Sequence, residues 1–250
     1  MDRFTSFDGV ELAYQVTGEG PPVVLLHGFA ADSERNWVRP GVAGAIESAN
    51  RQTVLLDARG HGRSEKPHEP AAYAGGAMAR DVVCLLEHLG LENVDVCGYS
   101  MGARTAMTLA ANGDRVRTAV FGGVGRRLGS RAMAERAPTI GEGLLAADAG
   151  AIDDPVARAF REFAESTDAD LAALSAFQRS GAFPRTDLST IELPTLVIAG
   201  ADDRLAGSPH ELAERIPGAE VTVVSGDHLS AVFDSAFATA IVDFLARVDE

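Results

Sequence analysis

The chain has 250 residues, 46% of them hydrophobic, which suffices for one α/β domain with a sizeable core and an insertion. Its 22 basic and 36 acidic residues leave a formal charge of -14, which argues against nucleic acid as a partner, because phosphate backbones need clustered cations. No apolar run approaches the roughly 18 residues of a membrane span, and Met1-Asp2-Arg3-Phe4-Thr5 lacks the layout of an export signal, so a cytoplasmic protein with no membrane partner is expected.

Arg3 to Phe7 and Val10 to Val16 alternate around Asp8-Gly9, which predicts an opening hairpin. Short apolar runs then recur at Val23 to Leu26, Thr53 to Leu56, Val94 to Cys97, Thr118 to Phe121, Thr195 to Ile198 and Val221 to Val224. Continuous apolar runs of this length suit parallel strands covered on both faces. Helices are predicted over 42–48, 78–89, 103–111, 209–215 and 236–248. The result is an α/β fold, a doubly wound and mostly parallel sheet of about eight strands. Residues 126–185 carry no strand pattern and predict several short helices, a lid inserted into a core formed by 1–125 and 186–250. Cys84 and Cys97 lack metal-ligand spacing and are read as core residues.

The chemistry centres on Val96-Cys97-Gly98-Tyr99-Ser100-Met101-Gly102-Ala103-Arg104, where an apolar strand runs through Gly-x-Ser-x-Gly into a helix-forming stretch. This is the pattern of a nucleophile elbow, and it makes Ser100 the candidate nucleophile. A general base must follow, and an acid should stand between the two in the chain. His228 lies in a glycine-containing loop after the last predicted strand, whereas His210 opens a helix. After the strand ending at Ile198 come Asp202 and Asp203, and the spacing Gly200-x-x-Asp203 favours Asp203 as the acid. Oxyanion donors are assigned to the backbone N–H groups of Met101 and of Phe29 in His27-Gly28-Phe29-Ala30, with His27 bracing that loop.

Two further residues are candidates for substrate contact. Trp37 either lines the entrance or packs. Arg104 lies one helical turn beyond Ser100 on the same side, where it either meets the substrate or pairs with a buried acid. Arg126, Arg127, Arg131 and Arg136 form a solvated basic face unless they turn inward, in which case the pocket prefers an anion.

The His27-Gly28-Phe29 motif, the segment Asp57 to Ser64, the elbow at Ser100, Gly200-x-x-Asp203 and His228 follow one another in an order that resembles the α/β-hydrolase superfamily over essentially the whole chain. The resemblance implies a Ser-His-Asp triad that cleaves a small ester, thioester or lactone through an acyl-enzyme, with no metal or organic cofactor and a small-molecule acyl substrate as partner. It implies a supporting role for Asp57 and His61. A serine at the elbow argues against epoxide hydrolases and haloalkane dehalogenases, which need an aspartate nucleophile. The same residues also fit a cofactor-free perhydrolase, a carbon–carbon hydrolase or pyruvate-eliminating lyase, and a receptor-like binding protein. The lyase elbow is similar to this one except at Ala103.

Overall fold

The computed structural model describes residues 1–113, 115–127 and 131–249, and of residues 131 and 132 the backbone alone. Its strands are β1 (Asp2–Thr5), β2 (Glu11–Thr17), β3 (Pro22–Leu26), β4 (Gln52–Leu56), β5 (Val94–Tyr99), β6 (Val116–Gly122), β7 (Thr195–Gly200) and β8 (Glu220–Val224). They form one sheet in the order β1-β2-β4-β3-β5-β6-β7-β8. The opening hairpin β1–β2 and the pair β2–β4 are antiparallel, and every later pair is parallel. Helices α1 (Val42–Ser48), α2 (Ala77–Leu89), α3 (Met101–Asn112), α7 (Pro209–Ala213) and α8 (Ser235–Val248) accompany the sheet, while α4 (Arg131–Leu144), α5 (Pro155–Ser166) and α6 (Leu171–Arg179) stand between β6 and β7.

Strand alternation sorts the side chains into two layers. Val24, Leu26, Val96 and Phe121 pack with α2 and α3, whereas Val23, Leu25, Cys97 and Val120 pack with α1 and α8. Phe237, Ile241, Phe244 and Leu245 recur along α8 at helical spacing and are all buried, each contributing about 1.5–3 kcal/mol of apolar transfer. Strand order reverses at β3, since β4 lies on one side of it and β5 on the other. The loops leaving β3 and β5 therefore meet at the carboxyl end of the sheet, where open α/β sheets form a crevice.

At the opposite end of β5, buried Asp95 accepts from Arg51 at 2.5 Å, from Arg117 at 2.6 and 3.0 Å, and from the Thr118 hydroxyl at 2.8 Å. Arg51 and Arg117 also pair with Asp249 beyond α8.

Helices α4, α5 and α6 separate β6 from β7. Asp154 and Asp170 cap α5 and α6 by accepting from backbone N–H groups of the first turn. Ile140, Leu144, Ala157, Ala164 and Leu174 bury a separate small core that includes Ala30 of the loop after β3.

One expectation is corrected here. Trp37 lies in a π-helical turn, Glu34–Val38, that no local pattern signals, and this turn rotates the indole into the cluster containing Val42 and Ile46. It is fully buried there and lines no part of the entrance. Arg126, Arg127 and Arg136 are exposed, and the side chain of Arg131 lies outside the described residues.

Candidate active site

Ser100 occupies the turn between β5 and α3 with φ 52° and ψ -104°, a conformation that costs a non-glycine residue on the order of 1–3 kcal/mol. The surroundings enforce it. The Ser100 N–H donates to the Gly122 carbonyl at 2.8 Å, tying the turn to β6. A Cβ at Gly98 would come within 2.3 Å of the Gly102 carbonyl oxygen, and one at Gly102 within 2.0 Å of the Leu26 oxygen. Only glycine permits the helix to start this close to the sheet.

His228 reaches Ser100 from the loop after β8. Its Nε2 lies 3.0 Å from Ser100 Oγ, and its Nδ1 lies 2.8 Å from Asp203 Oδ2. Asp203 Oδ1 accepts from the N–H groups of Leu205 at 3.0 Å and Ala206 at 2.8 Å. Both carboxyl oxygens thus act as acceptors, which suits a carboxylate and assigns the ring proton to Nδ1, leaving Nε2 free to accept from the serine hydroxyl. Asp203 is buried, whereas Asp202 is exposed. His210 is exposed at the start of α7, away from this group.

The loop after β3 is built around one peptide group. The His27 ring accepts from the Ala58 N–H at Nε2, 3.0 Å, and its Nδ1 donates to the Gly28 carbonyl at 2.8 Å. The Phe29 N–H belongs to the same planar trans peptide as that carbonyl, so it is directed the opposite way. Asn36 Oδ1 accepts from the Gly28 N–H at 2.9 Å, and a Cβ at Gly28 would lie 3.6 Å from Ser100 Cβ. Among the described residues, neither the Phe29 nor the Met101 N–H donates to a side chain or loop carbonyl. Met101 opens α3, where backbone donors are unpaired and the helix dipole favours negative charge.

Phe29 packs between Phe160 and Phe177, with ring centroids 5.6 and 5.4 Å away. His61 lies behind it at 5.8 Å. The His61 Nδ1 donates to the Arg59 carbonyl at 2.9 Å, while its buried Nε2 has no hydrogen-bond partner. Burial, and next to it the His27 ring, push the His61 imidazole down to about 3, so it is neutral at physiological pH. Asp57 holds adjoining loops by accepting from Ser33 N–H and Oγ–H and from Arg63 N–H.

A cavity of about 420 Å³ opens from Ser100 and His228 toward α4 and α6. Arg104 lines it, half-buried, with its guanidinium carbon 3.9 Å from the Phe183 ring centroid. Burial pushes its pKa down to about 10, which leaves it cationic at neutral pH. The stacking of Phe183 on Arg104 was not legible in the sequence, nor was the part played by Asn36. Among the described residues, no group of three or more His, Cys, Asp or Glu is arranged to hold a metal ion. No helix among them is long and apolar enough to cross a membrane.

The family profile described as the alpha/beta hydrolase fold matches residues 21–136. An uncharacterized protein of Mycobacterium tuberculosis is 36% identical over 109 residues, which are 43% of this chain and only 30% of that protein's length. The solved structure of a hydrolase from Pseudomonas aeruginosa PA01 superposes with a TM-score of 0.79 at 27% identity, covering 98% of this chain and 97% of its own. The enol-lactonase from Burkholderia xenovorans LB400 superposes with a TM-score of 0.71 at 26% identity, covering 98% and 100%. With its sheet order, its flanking helices and these matches, the chain belongs to the α/β-hydrolase superfamily.

Proposed function

We propose that the protein is a serine hydrolase that cleaves a small ester, thioester or lactone through an acyl-enzyme. The observation that carries this reading is the continuous hydrogen-bonded series Asp203, His228, Ser100, at 2.8 and 3.0 Å, opening on the cavity. Ser100 Oγ attacks the carbonyl carbon while His228 Nε2 takes its proton, and the Phe29 and Met101 N–H groups receive the developing oxyanion. The C–O or C–S bond to the leaving group then breaks as His228 returns the proton to it. Water adds to the acyl-enzyme in the second half, giving a proton to His228, and the Ser100 ester bond breaks to release the acid as His228 passes that proton back to Ser100 Oγ. Asp203 orients the imidazole and stabilises its protonated form throughout. The helices between β6 and β7 act as a lid whose apolar side chains wall the cavity and keep bulk water from the acyl-enzyme.

The reading is supported by the fold shared with the P. aeruginosa hydrolase and the enol-lactonase, and by the serine at the elbow, which forms a hydrolysable ester. It is tested by incubating the protein with a fluorophosphonate and with p-nitrophenyl butyrate. The reagent should add to Ser100, located by peptide mass, and block ester turnover; Ser100→Ala should stay folded, resist labelling and lose on the order of a millionfold in kcat. Near-wild-type turnover by folded Ser100→Ala would remove the reading. Including peroxide-dependent halide oxidation in the same panel separates hydrolysis from perhydrolysis.

A further inference from the structure

The cavity beside Ser100 has mostly apolar walls, yet the fixed charges on them are of one sign. Arg104, Arg127 and Arg179 line it, and no Asp or Glu does among the described residues. In a chain of formal charge -14 this reverses the character of the whole. None of the three arginines is ion-paired among the described residues. Arg127 donates to the Arg204 carbonyl, and Arg179 to the Ser175 carbonyl at 3.4 Å.

Arg104 is the decisive member. The fully buried arginines are matched by acceptors: Arg51 by Asp95 and Asp249, Arg59 by Asp8 and Asp81, and Arg161 by Glu165 and three carbonyls. Arg104 has its guanidinium carbon over the Phe183 ring and no hydrogen-bond acceptor among the described residues. Stacking occupies the face of a guanidinium and leaves its edge free, and the edge carries the donors that match a carboxylate two at a time. Its position, four residues after Ser100 on α3, places its backbone ~6 Å along the helix from the nucleophile. Desolvation of the cation is thus offset by no protein acceptor among the described residues, and an anion in the cavity would offset it.

We infer that Arg104 forms a carboxylate-binding subsite, and that the enzyme's substrates are acyl compounds bearing a carboxylate a short spacer away from the scissile carbonyl. The reaction part rests on the serine-hydrolase reading above; the binding part does not. A hemiester of a small dicarboxylic acid is the simplest member of the class: water is consumed, the ester C–O bond breaks, and the alcohol and the free dicarboxylate leave. Arg127 and Arg179 are exposed and add their positive potential to the approach of such an anion.

The test compares p-nitrophenyl butyrate with p-nitrophenyl hydrogen glutarate, esters that differ chiefly in a terminal carboxylate. Wild-type protein should favour the glutarate in kcat/KM, and the preference should shrink as salt is raised. In Arg104→Met the ratio of the two kcat/KM values should fall about 10- to 100-fold, mainly through KM for the anionic ester, as expected for losing a charge-assisted pair. Arg104→Lys, which keeps the charge but not the fork, should retain part of the preference and covers the case in which the methionine variant unfolds. Glutarate binding to Ser100→Ala, measured calorimetrically, should be lost when Arg104→Met is added. An unchanged ratio in folded Arg104→Met, or glutarate binding indifferent to Arg104, overturns the subsite even if ester cleavage stands. Arg104-dependent glutarate binding in a protein that cleaves neither ester keeps the subsite and removes the hydrolase reading.

Discussion

The two ends of β5 carry polar groups under opposite rules. At its start, Asp95 is buried among two arginines and a threonine hydroxyl, and both arginines reach a second carboxylate, so charge is matched by charge. At its finish, Ser100 sits in a turn with positive φ, two backbone N–H groups beside it are uncommitted, and Arg104 meets an aromatic ring in place of a carboxylate. Polar groups that satisfy one another hold a fold together. Those left unsatisfied at the cost of strain and desolvation are waiting for a ligand.

The contrast is broken most directly by Asp203→Asn, because Asp203 stands at the carboxyl end and yet has partners on both carboxyl oxygens. It should lower kcat by roughly ten-thousandfold through loss of imidazole orientation and charge stabilisation, whereas Asp202→Asn, at an exposed position, should stay near wild type. Comparable losses in both variants, read by steady-state kinetics, would contradict the division of roles. Next in size is Asp95→Ala at the other end. It takes from each of two arginines one of its two carboxylate partners and should cost about 3–5 kcal/mol in urea unfolding while kcat of the folded fraction is kept. A kcat defect without a stability loss would show that the amino end is not merely structural.

The smallest effect near neutral pH concerns His61, a neutral buried ring packed against Phe29 and Phe177. Its folded pKa is about 3 against 6.5 for an ordinary imidazole, so below pH 6.5 the unfolded chain binds a proton that the native chain does not. Stability held above pH 6.5 is therefore lost as pH falls toward 3, by about 1.4 kcal/mol per pH unit. His61→Asn, which can still donate to the Arg59 carbonyl, should flatten that slope in a series of unfolding curves. An unchanged slope would mean that the ring is not kept neutral by its burial.

The sheet was legible because β3 to β7 are apolar runs separated by helical stretches, and the elbow because its glycines sit where the backbones of α3 and β3 nearly touch. Asp203 and His228 followed from loop positions after β7 and β8. What stayed hidden depends on contacts distant in sequence. Whether Arg104 meets an acid or a ring is decided by Phe183, which lies beyond α6. The burial of Trp37 turns on a π-helical turn that has no periodic signature. The neutralisation of Asp95 requires Asp249 at the far side of α8 to come back to Arg51 and Arg117.

Tyr99, the residue immediately before Ser100, ties two loops of the candidate site together. Its hydroxyl donates to the His228 carbonyl at 2.8 Å, and its ring lies 5.5 Å from the imidazole and 5.9 Å from Phe237. A single side chain thus links the serine's own strand to the backbone of the loop that carries the base. The Ser100 to His228 distance is thereby restrained by a contact that lies outside the pair itself.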